Sequence, residues 1–306
     1  MQWIKKGIVY APDGQMTWAA HSALTPTPIL LSNNTIRVYA GFRDLAGVSR
    51  IGFVDLDAQD PSKILRISQK PALDIGAPGC FDDNGVILGD LLWVKSKLYL
   101  YYVGFQLVNN VKFLAYTGLA ISEDGGDTFV RLSAVPVLDR ANEGLYFRAI
   151  HSIRIEEGVW KCWYGAGSKW SKINGLQYPN YITKYIESSD GINFPEEGAI
   201  CIDQEGEDEY RIGRPRVSKI NNLYRMFYTI GTLSGTYLPG YAESNDGKVW
   251  VRKDDLIGIT ISESGWDSKA LSYTAPLTVG NKEYIFYNGN DMGKTGFGYA
   301  ERDLKE

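Results

Sequence analysis

The sequence predicts an all-β protein, a single five-bladed β-propeller domain covering residues 1–306. The first observation is a run of β-branched and aromatic residues that ends near Tyr-x-Gly and recurs five times. Its aligned tyrosines are Tyr39, Tyr102, Tyr164, Tyr228 and Tyr287, at intervals of 59 to 64 residues. The second is a further strand-like phrase after each run, such as Gly118–Ser122 and Gly240–Ser244. The third is that no stretch has the 3.6-residue apolar periodicity of a long amphipathic helix.

Three of the second phrases run directly into an Asp-Gly turn, at Asp124-Gly125, Asp190-Gly191 and Asp246-Gly247. Asp supplies a side-chain acceptor and Gly tolerates a positive φ, so each pair predicts a hairpin turn between the outer strands of a repeat. The stretch Ser122–Phe129 resembles the Asp-box of sialidases and other propellers. That motif marks blade architecture and says nothing about catalysis.

The two ends of the chain predict how the ring closes. Phe129–Leu132 and Trp250–Lys253 follow outer turns and have the pattern of fourth strands. The last repeat stops at Glu301–Asp303 without such a strand, whereas Trp3–Lys6 has the missing pattern. We therefore expect the N-terminal strand to complete the last blade and to remove an exposed sheet edge.

Composition excludes several classes of protein. Hydrophobic residues make up 44% and charged residues 22% of the 306, and 32 basic against 36 acidic residues give a net charge of -4, which argues against a nucleic-acid partner. The three cysteines are far apart with no CxxC pair, so neither a disulfide framework nor a metal site is expected. We also expect no cofactor, no signal segment and no membrane span, hence a cytoplasmic protein. The oligomeric state stays open.

The candidate site follows from the propeller geometry. The first strand of each blade lines the central channel, and the loop that leads into it opens onto the central pocket. Polar side chains cluster at this place in all five repeats, and both histidines of the chain are among them. The candidate catalytic residues are His21, Asp82, Asp83, Glu143 and His151. The candidate substrate-binding residues are Trp18, Arg148, Trp170, Arg214 and Tyr273.

Each candidate also has a structural interpretation. The Asp82-Asp83 pair can form a capped turn, the two histidines can be satisfied within the core, and Glu143 can be a solvated loop residue. Arg148 and Arg214 can pair with carboxylates that hold the channel together. The tryptophans can belong to the core instead of forming platforms for sugar rings.

With five repeats and acidic residues at the entries of its inner strands, the chain resembles the five-bladed glycosidase superfamily. That group includes family 43 arabinanases and xylosidases, the invertase and levansucrase families and the family 130 mannoside phosphorylases. The sequences of Phe81–Val86, of the Ser-x-Asp-Gly turns and of Phe286–Asn290 look closest to those of uncharacterised glycosidase-like proteins of bacterial polysaccharide gene clusters.

The resemblance implies an Asp on blade one as base or nucleophile, an Asp on blade two that tunes the acid, and a Glu acid on blade three. Asp82 or Asp83 matches blade two, and Glu143 matches blade three. Blade one departs from this arrangement, because it carries His21 where the Asp is expected. Asp44 is the alternative carboxylate of this blade, but it lies at the far end of the hairpin.

Several functions follow as hypotheses. The leading one is a glycoside-active enzyme, a hydrolase or transglycosylase, with acid and base carboxylates in the pocket and a microbial glycan or its precursor as substrate. Arg148, Arg214 and Tyr273 favour an anionic substrate, such as a uronic or nonulosonic acid, a sugar phosphate or a nucleotide sugar, and Tyr273 could serve as a sialidase-type nucleophile. A propeller that binds a glycan or nucleotide sugar without turnover, or a protein-interaction scaffold, are the non-enzymatic alternatives.

Overall fold

The computed structural model describes residues 1–173 and 175–304, and it confirms an all-β protein. The strands are β1 (Ile4–Tyr10), β2 (His21–Ser32), β3 (Thr35–Arg43), β4 (Ser49–Asp57), β5 (Ile64–Ile67), β6 (Val86–Val94), β7 (Lys97–Gln106), β8 (Leu114–Ser122), β9 (Val130–Arg131), β10 (Phe147–Glu156), β11 (Val159–Ile173), β12 (Leu176–Ser188), β13 (Ala199–Ile202), β14 (Glu209–Ile220), β15 (Leu223–Thr232), β16 (Tyr237–Ser244), β17 (Val251–Arg252), β18 (Ser272–Val279), β19 (Lys282–Asn288) and β20 (Phe297–Asp303). The helical segments described are single turns at Thr17–Ala19, Asp254–Leu256 and Asn290–Gly293, and none in this part of the chain is long and apolar enough to cross a membrane.

Consecutive strands form antiparallel meanders. The sheet β2-β3-β4-β5 comes first, and β6 to β9, β10 to β13 and β14 to β17 follow with the same internal pairing. Short parallel contacts join β8 to β10 and β12 to β14. Strands β18, β19 and β20 form the last sheet, and β1 adds to its edge with Ile4 opposite Glu301.

The first strands of the meanders lie next to one another. β2 contacts β6, β6 contacts β10, β10 contacts β14, β14 contacts β18, and β18 contacts β2 again. The five aligned tyrosines lie on the second strand of each meander and are fully buried. This is expected for aromatic residues that fill the space between sheets. The three Asp-Gly turns predicted from the sequence are present, and in the first of them Asp124 accepts hydrogen bonds from the amides of Asp127 and Thr128.

Each first strand carries a bulge at an equivalent position. The register shifts between Leu24 and Thr27, Leu88 and Asp90, Ile150 and Ser152, Gly213 and Arg216, and Ser272 and Ala275. Thr25, Arg214 and Tyr273, which lie inside these bulges, have φ values of 53°, 57° and 58°. Left-handed backbone is costly for residues with a Cβ, most of all for a β-branched one. A bulge redirects the side chain of its extra residue, so these positions set what the first strands present to the centre.

Candidate functional site

A cavity of about 360 Å³ lies where the first strands meet. Thr25, His151, Arg214 and Tyr273, four of the bulge residues, line it. They come from four different meanders, and successive members are 126, 63 and 59 residues apart in the chain. The repeated bulge therefore builds one site from distant segments.

Arg214 joins these segments through its guanidinium. Its Nη1 donates to the carbonyl oxygen of Leu88 and approaches Nδ1 of His151 at 3.0 Å. Its Nη2 donates to the carbonyl oxygen of Thr25 at 3.2 Å and to Oγ1 of Thr27 at 2.8 Å. All of these acceptors are neutral. Burial, helped by the nearby charge of Arg216, lowers the pKa of Arg214 to about 9, which leaves it charged at neutral pH.

His151 is neutral in this arrangement. Burial lowers its pKa well below the usual value, and the charges of Arg214 and Arg216 lower it further. Because Nδ1 faces a donor of Arg214, Nδ1 is the acceptor nitrogen and the ring proton belongs on Nε2. His151 thus holds the Arg214 side chain without adding a charge to the cavity.

Two further arginines line the cavity, and sequence reasoning missed both. Arg211 is buried among tyrosine rings, with its guanidinium carbon 4.3 Å from the ring centre of Tyr210 and 5.4 Å from that of Tyr237. Arg43 is half-buried, and burial lowers its pKa. The signals in the sequence are the position of Arg211 three residues before Arg214 and the position of Arg43 two residues after the phrase Tyr39-Ala40-Gly41.

The cavity is cationic. Arg43, Lys112, Arg211 and Arg214 line it, and none of its lining residues in the described chain is Asp or Glu. No carboxylate oxygen of residues 1–173 or 175–304 comes within 4.0 Å of the three arginines. The Nε atom of each is buried and has no hydrogen-bond partner among the described atoms. Unpaired buried guanidinium donors are costly, and a carboxylate or phosphate would satisfy them.

Tyr273 lies within this group of cations. Its ring centre is 6.2 Å from that of Tyr237, and both line the cavity. Burial raises the pKa of Tyr273, with smaller contributions from Tyr237 and Tyr181, and the charges of Arg211 and Arg43 offset only part of this. Tyr273 is therefore a neutral hydrogen-bonding group at physiological pH.

The predicted carboxylates of the second repeat lie outside the cavity lining. Asp82 is buried and accepts hydrogen bonds from the hydroxyl of Tyr102 at 3.0 Å and from Nε of Arg131 at 2.7 Å. Asp83 is half-buried and accepts from the backbone amide of Gly79 at 2.9 Å, as a turn residue does.

Glu143 is likewise engaged by protein groups. Its Oε1 accepts from Tyr164 at 2.5 Å and from Arg148, and its Oε2 accepts from Lys184 at 2.5 Å and from the amide of Gly198. Burial alone would raise the pKa of Glu143, but the hydrogen bonds from Lys184, Tyr164 and Gly198 hold it below its usual value. A general acid for glycoside cleavage needs the opposite shift.

The contacts of Asp82 and Glu143 recur in the later repeats. In each case the aligned tyrosine donates to a carboxylate that also pairs with a basic residue. The remaining examples are Tyr228 with Asp254 and Arg252, and Tyr287 with Asp267 and Lys5. We name this contact the Tyr-carboxylate-cation cluster. Its repetition in four meanders indicates a structural role, because it joins the middle strand of a meander to surrounding segments.

The other predicted site residues are dispersed, and none of them lines the cavity. Nδ1 of His21 is 2.8 Å from Oγ of Ser22. Arg148 is buried and also donates to the carbonyl oxygens of Asp139, Pro195 and Glu196. Trp18 packs edge-on against Phe42, and Trp170 packs on Tyr146 and on Phe113, which does line the cavity. Among the described residues, no group of three or more His, Cys, Asp or Glu side chains could hold a metal ion.

Several solved structures share this fold. A structure named glycoside hydrolase matches with a TM-score of 0.74 at 16% identity, covering 97% of this chain and 91% of its own. A thermostable family-43 glycoside hydrolase has a TM-score of 0.67 at 16% identity, covering 93% and 90%. A β-1,2-mannobiose phosphorylase from Listeria innocua has a TM-score of 0.68 at 12% identity, covering 96% of each chain. The predicted resemblance to glycosidase-type β-propellers is thereby confirmed at the level of the fold.

Sequence relatives define the family. Uncharacterized protein Rv1502 of Mycobacterium tuberculosis strain ATCC 25618 / H37Rv is 31% identical over 300 residues, covering 98% of this chain and 99% of the relative. Uncharacterized protein MT1551 of strain CDC 1551 / Oshkosh matches with the same identity and coverage. The chain belongs to the family of these two mycobacterial proteins. No protein-family model matches the chain.

Proposed function

We propose that this protein is a five-bladed β-propeller, closed by its N-terminal strand, that recognises an anionic glycan or glycan precursor in its central cavity. Five meanders with contacting first strands, and the pairing of β1 with β20, support the architecture. Structures of the same fold carry the names of glycoside hydrolases and a mannoside phosphorylase, which supports a carbohydrate ligand.

One observation carries the anionic part of the proposal. Three arginines, Arg43, Arg211 and Arg214, line the cavity without a carboxylate partner among the described residues, and each keeps a buried Nε donor unpaired. Protein interiors normally pair such groups, because a buried unpaired charge costs several kcal/mol. A carboxylate or phosphate of the ligand supplies the missing acceptor, and the planar guanidinium suits either oxyanion.

The proposed roles follow from the contacts. Arg214, held by His151 and the Thr25 segment, is the fixed cation at the meeting point of the first strands. Arg211, packed among tyrosine rings, and Arg43 add two further donors, while Tyr273 offers a hydroxyl to the same ligand. Arg148 and Trp170 do not line the cavity; they support the residues around it.

A second candidate function is glycoside hydrolysis with Asp82, Asp83 and Glu143 as the acid and base groups and with His21 or His151 in support. The fold shared with structures named glycoside hydrolases favours it. It requires Glu143 to leave the hydrogen bonds from Lys184 and Tyr164 before it can protonate a leaving oxygen.

The test is a thermal-shift screen of the purified protein against glucuronate, sugar phosphates, nucleotide sugars and neutral hexoses. A ligand of the native state raises the melting temperature. We expect stabilisation by the anionic compounds, lost in Arg43→Gln and retained in Arg140→Gln, because Arg140 also lacks a carboxylate partner in the described chain but does not line the cavity. Equal stabilisation by neutral hexoses, unaffected by Arg43→Gln, would contradict the proposal.

A further inference from the structure

Five apolar residues of the cavity lining belong to one hydrophobic cluster, which we call the apolar wall: Ile87, Val103, Phe105, Phe113 and Phe147. The ring centres of Phe105 and Phe113 are 5.2 Å apart with their planes near perpendicular, and Phe147 stacks on Tyr181 at 4.4 Å. A sugar ring alone can stack only a C–H face on such a wall, and any hydroxyl turned toward it would lose water without gaining a partner.

The apolar wall continues to the outside of the protein. Leu107 lines the cavity while 61% of it is exposed, and Met292 lines the cavity while 38% is exposed. Leu176, 62% exposed, lies two residues before the cavity residue Tyr178, and Leu45, 89% exposed, lies two residues after Arg43. Exposed apolar side chains beside a binding cavity indicate an apolar partner, since water contact with them is unfavourable.

We propose that the ligand is an amphiphile, an anionic sugar derivative attached to an alkyl or isoprenyl chain, with its anionic group on the arginines and its chain along the apolar wall and out over Leu107 and Met292. This inference rests on the proposed recognition of an anionic glycan or precursor. Charge complementarity orients the ligand: the cationic residues hold the head group, so the chain is left to the wall that carries no charge.

The experiment compares matched short-chain and long-chain ligands. Isothermal titration measures the affinity of methyl and octyl β-D-glucuronide, and of methyl and octyl phosphate, all below the micelle concentration. Octyl β-D-glucoside serves as the neutral amphiphile. Each methylene that leaves water on binding contributes about fourfold in affinity, so burial of two or more predicts that the octyl form binds at least about tenfold tighter than the methyl form.

Two variants test where the alkyl chain of the ligand lies. Leu107→Ser is expected to reduce the octyl-to-methyl affinity ratio by at least about threefold. Leu65→Ser is the matched control, because Leu65 is 47% exposed but lies on the outer strand β5, outside the cavity lining, and it should leave the ratio unchanged. The glucuronide pair reports a carboxylate head group and the phosphate pair a phosphate head group.

The outcomes are distinct. A tighter octyl form of either anionic pair, with the ratio reduced by Leu107→Ser alone, supports the inference. Equal affinity of methyl and octyl forms overturns the inference and leaves the anionic cavity standing. Binding of octyl glucoside as tight as that of octyl glucuronide, or no binding of any anionic ligand, overturns the anionic cavity itself and the inference with it.

Discussion

Replacement of Glu143 by glutamine distinguishes a structural ion-pair cluster from a catalytic acid. Glutamine keeps the shape and one acceptor oxygen of the side chain, but it removes the charge that pairs with Arg148 and Lys184. All three side chains are buried or nearly so, so water cannot replace the lost partner. Two cations are then left with only neutral acceptors.

The magnitude follows from this burial. Removing one partner of a buried ion pair costs about 3–5 kcal/mol, because the remaining charge stays desolvated. The unfolding entropy of about 2.1 cal/mol/K per residue amounts to about 640 cal/mol/K for 306 residues, so about 1 kcal/mol corresponds to roughly 1.6 °C in melting temperature. Glu143→Gln should therefore melt about 5–8 °C below the natural protein. Glu197→Gln is the control, since Glu197 is exposed, makes no hydrogen bond or ion pair in the described chain and precedes Gly198, which donates to Glu143.

The pH dependence gives a second readout. The pKa of Glu143 in the folded protein lies below its usual value of 4.5, so its contribution to stability is present above about pH 4.5 and is lost as the pH falls through the folded-state pKa. The natural protein should lose stability over this acid range, and Glu143→Gln should lose less, because it has no carboxylate to protonate at this position.

Scanning calorimetry of the three proteins between about pH 3 and 7 measures both effects. If Glu143→Gln melted within 1 °C of the natural protein and lost only turnover on a glycan substrate, the structural assignment would be refuted. Glu143 would then act as the catalytic acid that the resemblance to glycosidases implies. If the melting temperature falls and anionic ligands still bind to the folded variant, the structural cluster and the cavity are independent, as the structure indicates.

Three further predictions address other parts of the molecule. Arg211→Gln should weaken binding of an anionic sugar at least about tenfold in isothermal titration, as expected for a lost charge-assisted hydrogen bond, whereas unchanged affinity would remove Arg211 from the site. Because the pKa of His151 lies well below 6.5, ligand affinity should stay flat between about pH 6 and 8, and a titration centred near 6.5 would contradict the neutral imidazole. Deletion of residues 1–10 should destabilise the protein by at least about 3 kcal/mol in chemical denaturation, because it removes the buried Trp3 and uncovers the edge of β20; an unchanged midpoint would refute the importance of the β1–β20 pairing.

The repeat pattern was readable from the sequence because it depends on local physics. Each middle strand buries its own tyrosine, such as Tyr102 or Tyr164, between neighbouring sheets, so the same aromatic phrase must recur in every unit. The Asp-Gly turns are equally local, since the side chain of Asp124 bonds to amides three and four residues further along the chain. The all-β class and the turns followed from these signals.

The site could be located only in part. The sequence predicted the start of each first strand as the functional region, and His151, Arg214 and Tyr273 do line the cavity. The sequence also predicted Asp82 and Glu143 as site residues, because they occupy comparable places in the repeat, but they do not line the cavity. Their hydrogen bonds with Tyr102 and Tyr164 come from strands that fold back from the first strand, and no spacing rule predicts which way the loop carboxylate will turn.

The sequence by itself thus determined the all-β class and the repeating unit, and it predicted the region of the chain that holds the candidate site. Tertiary structure decided which side chains face the cavity. A bulge redirects one or two residues per strand, and a shift of one residue moves a side chain to the opposite face. The contacts that then fix Arg214 join it to Thr25 and Leu88, which are more than a hundred residues away in the chain. The arginines without a carboxylate partner can therefore be recognised only in the tertiary structure, where the first strands meet.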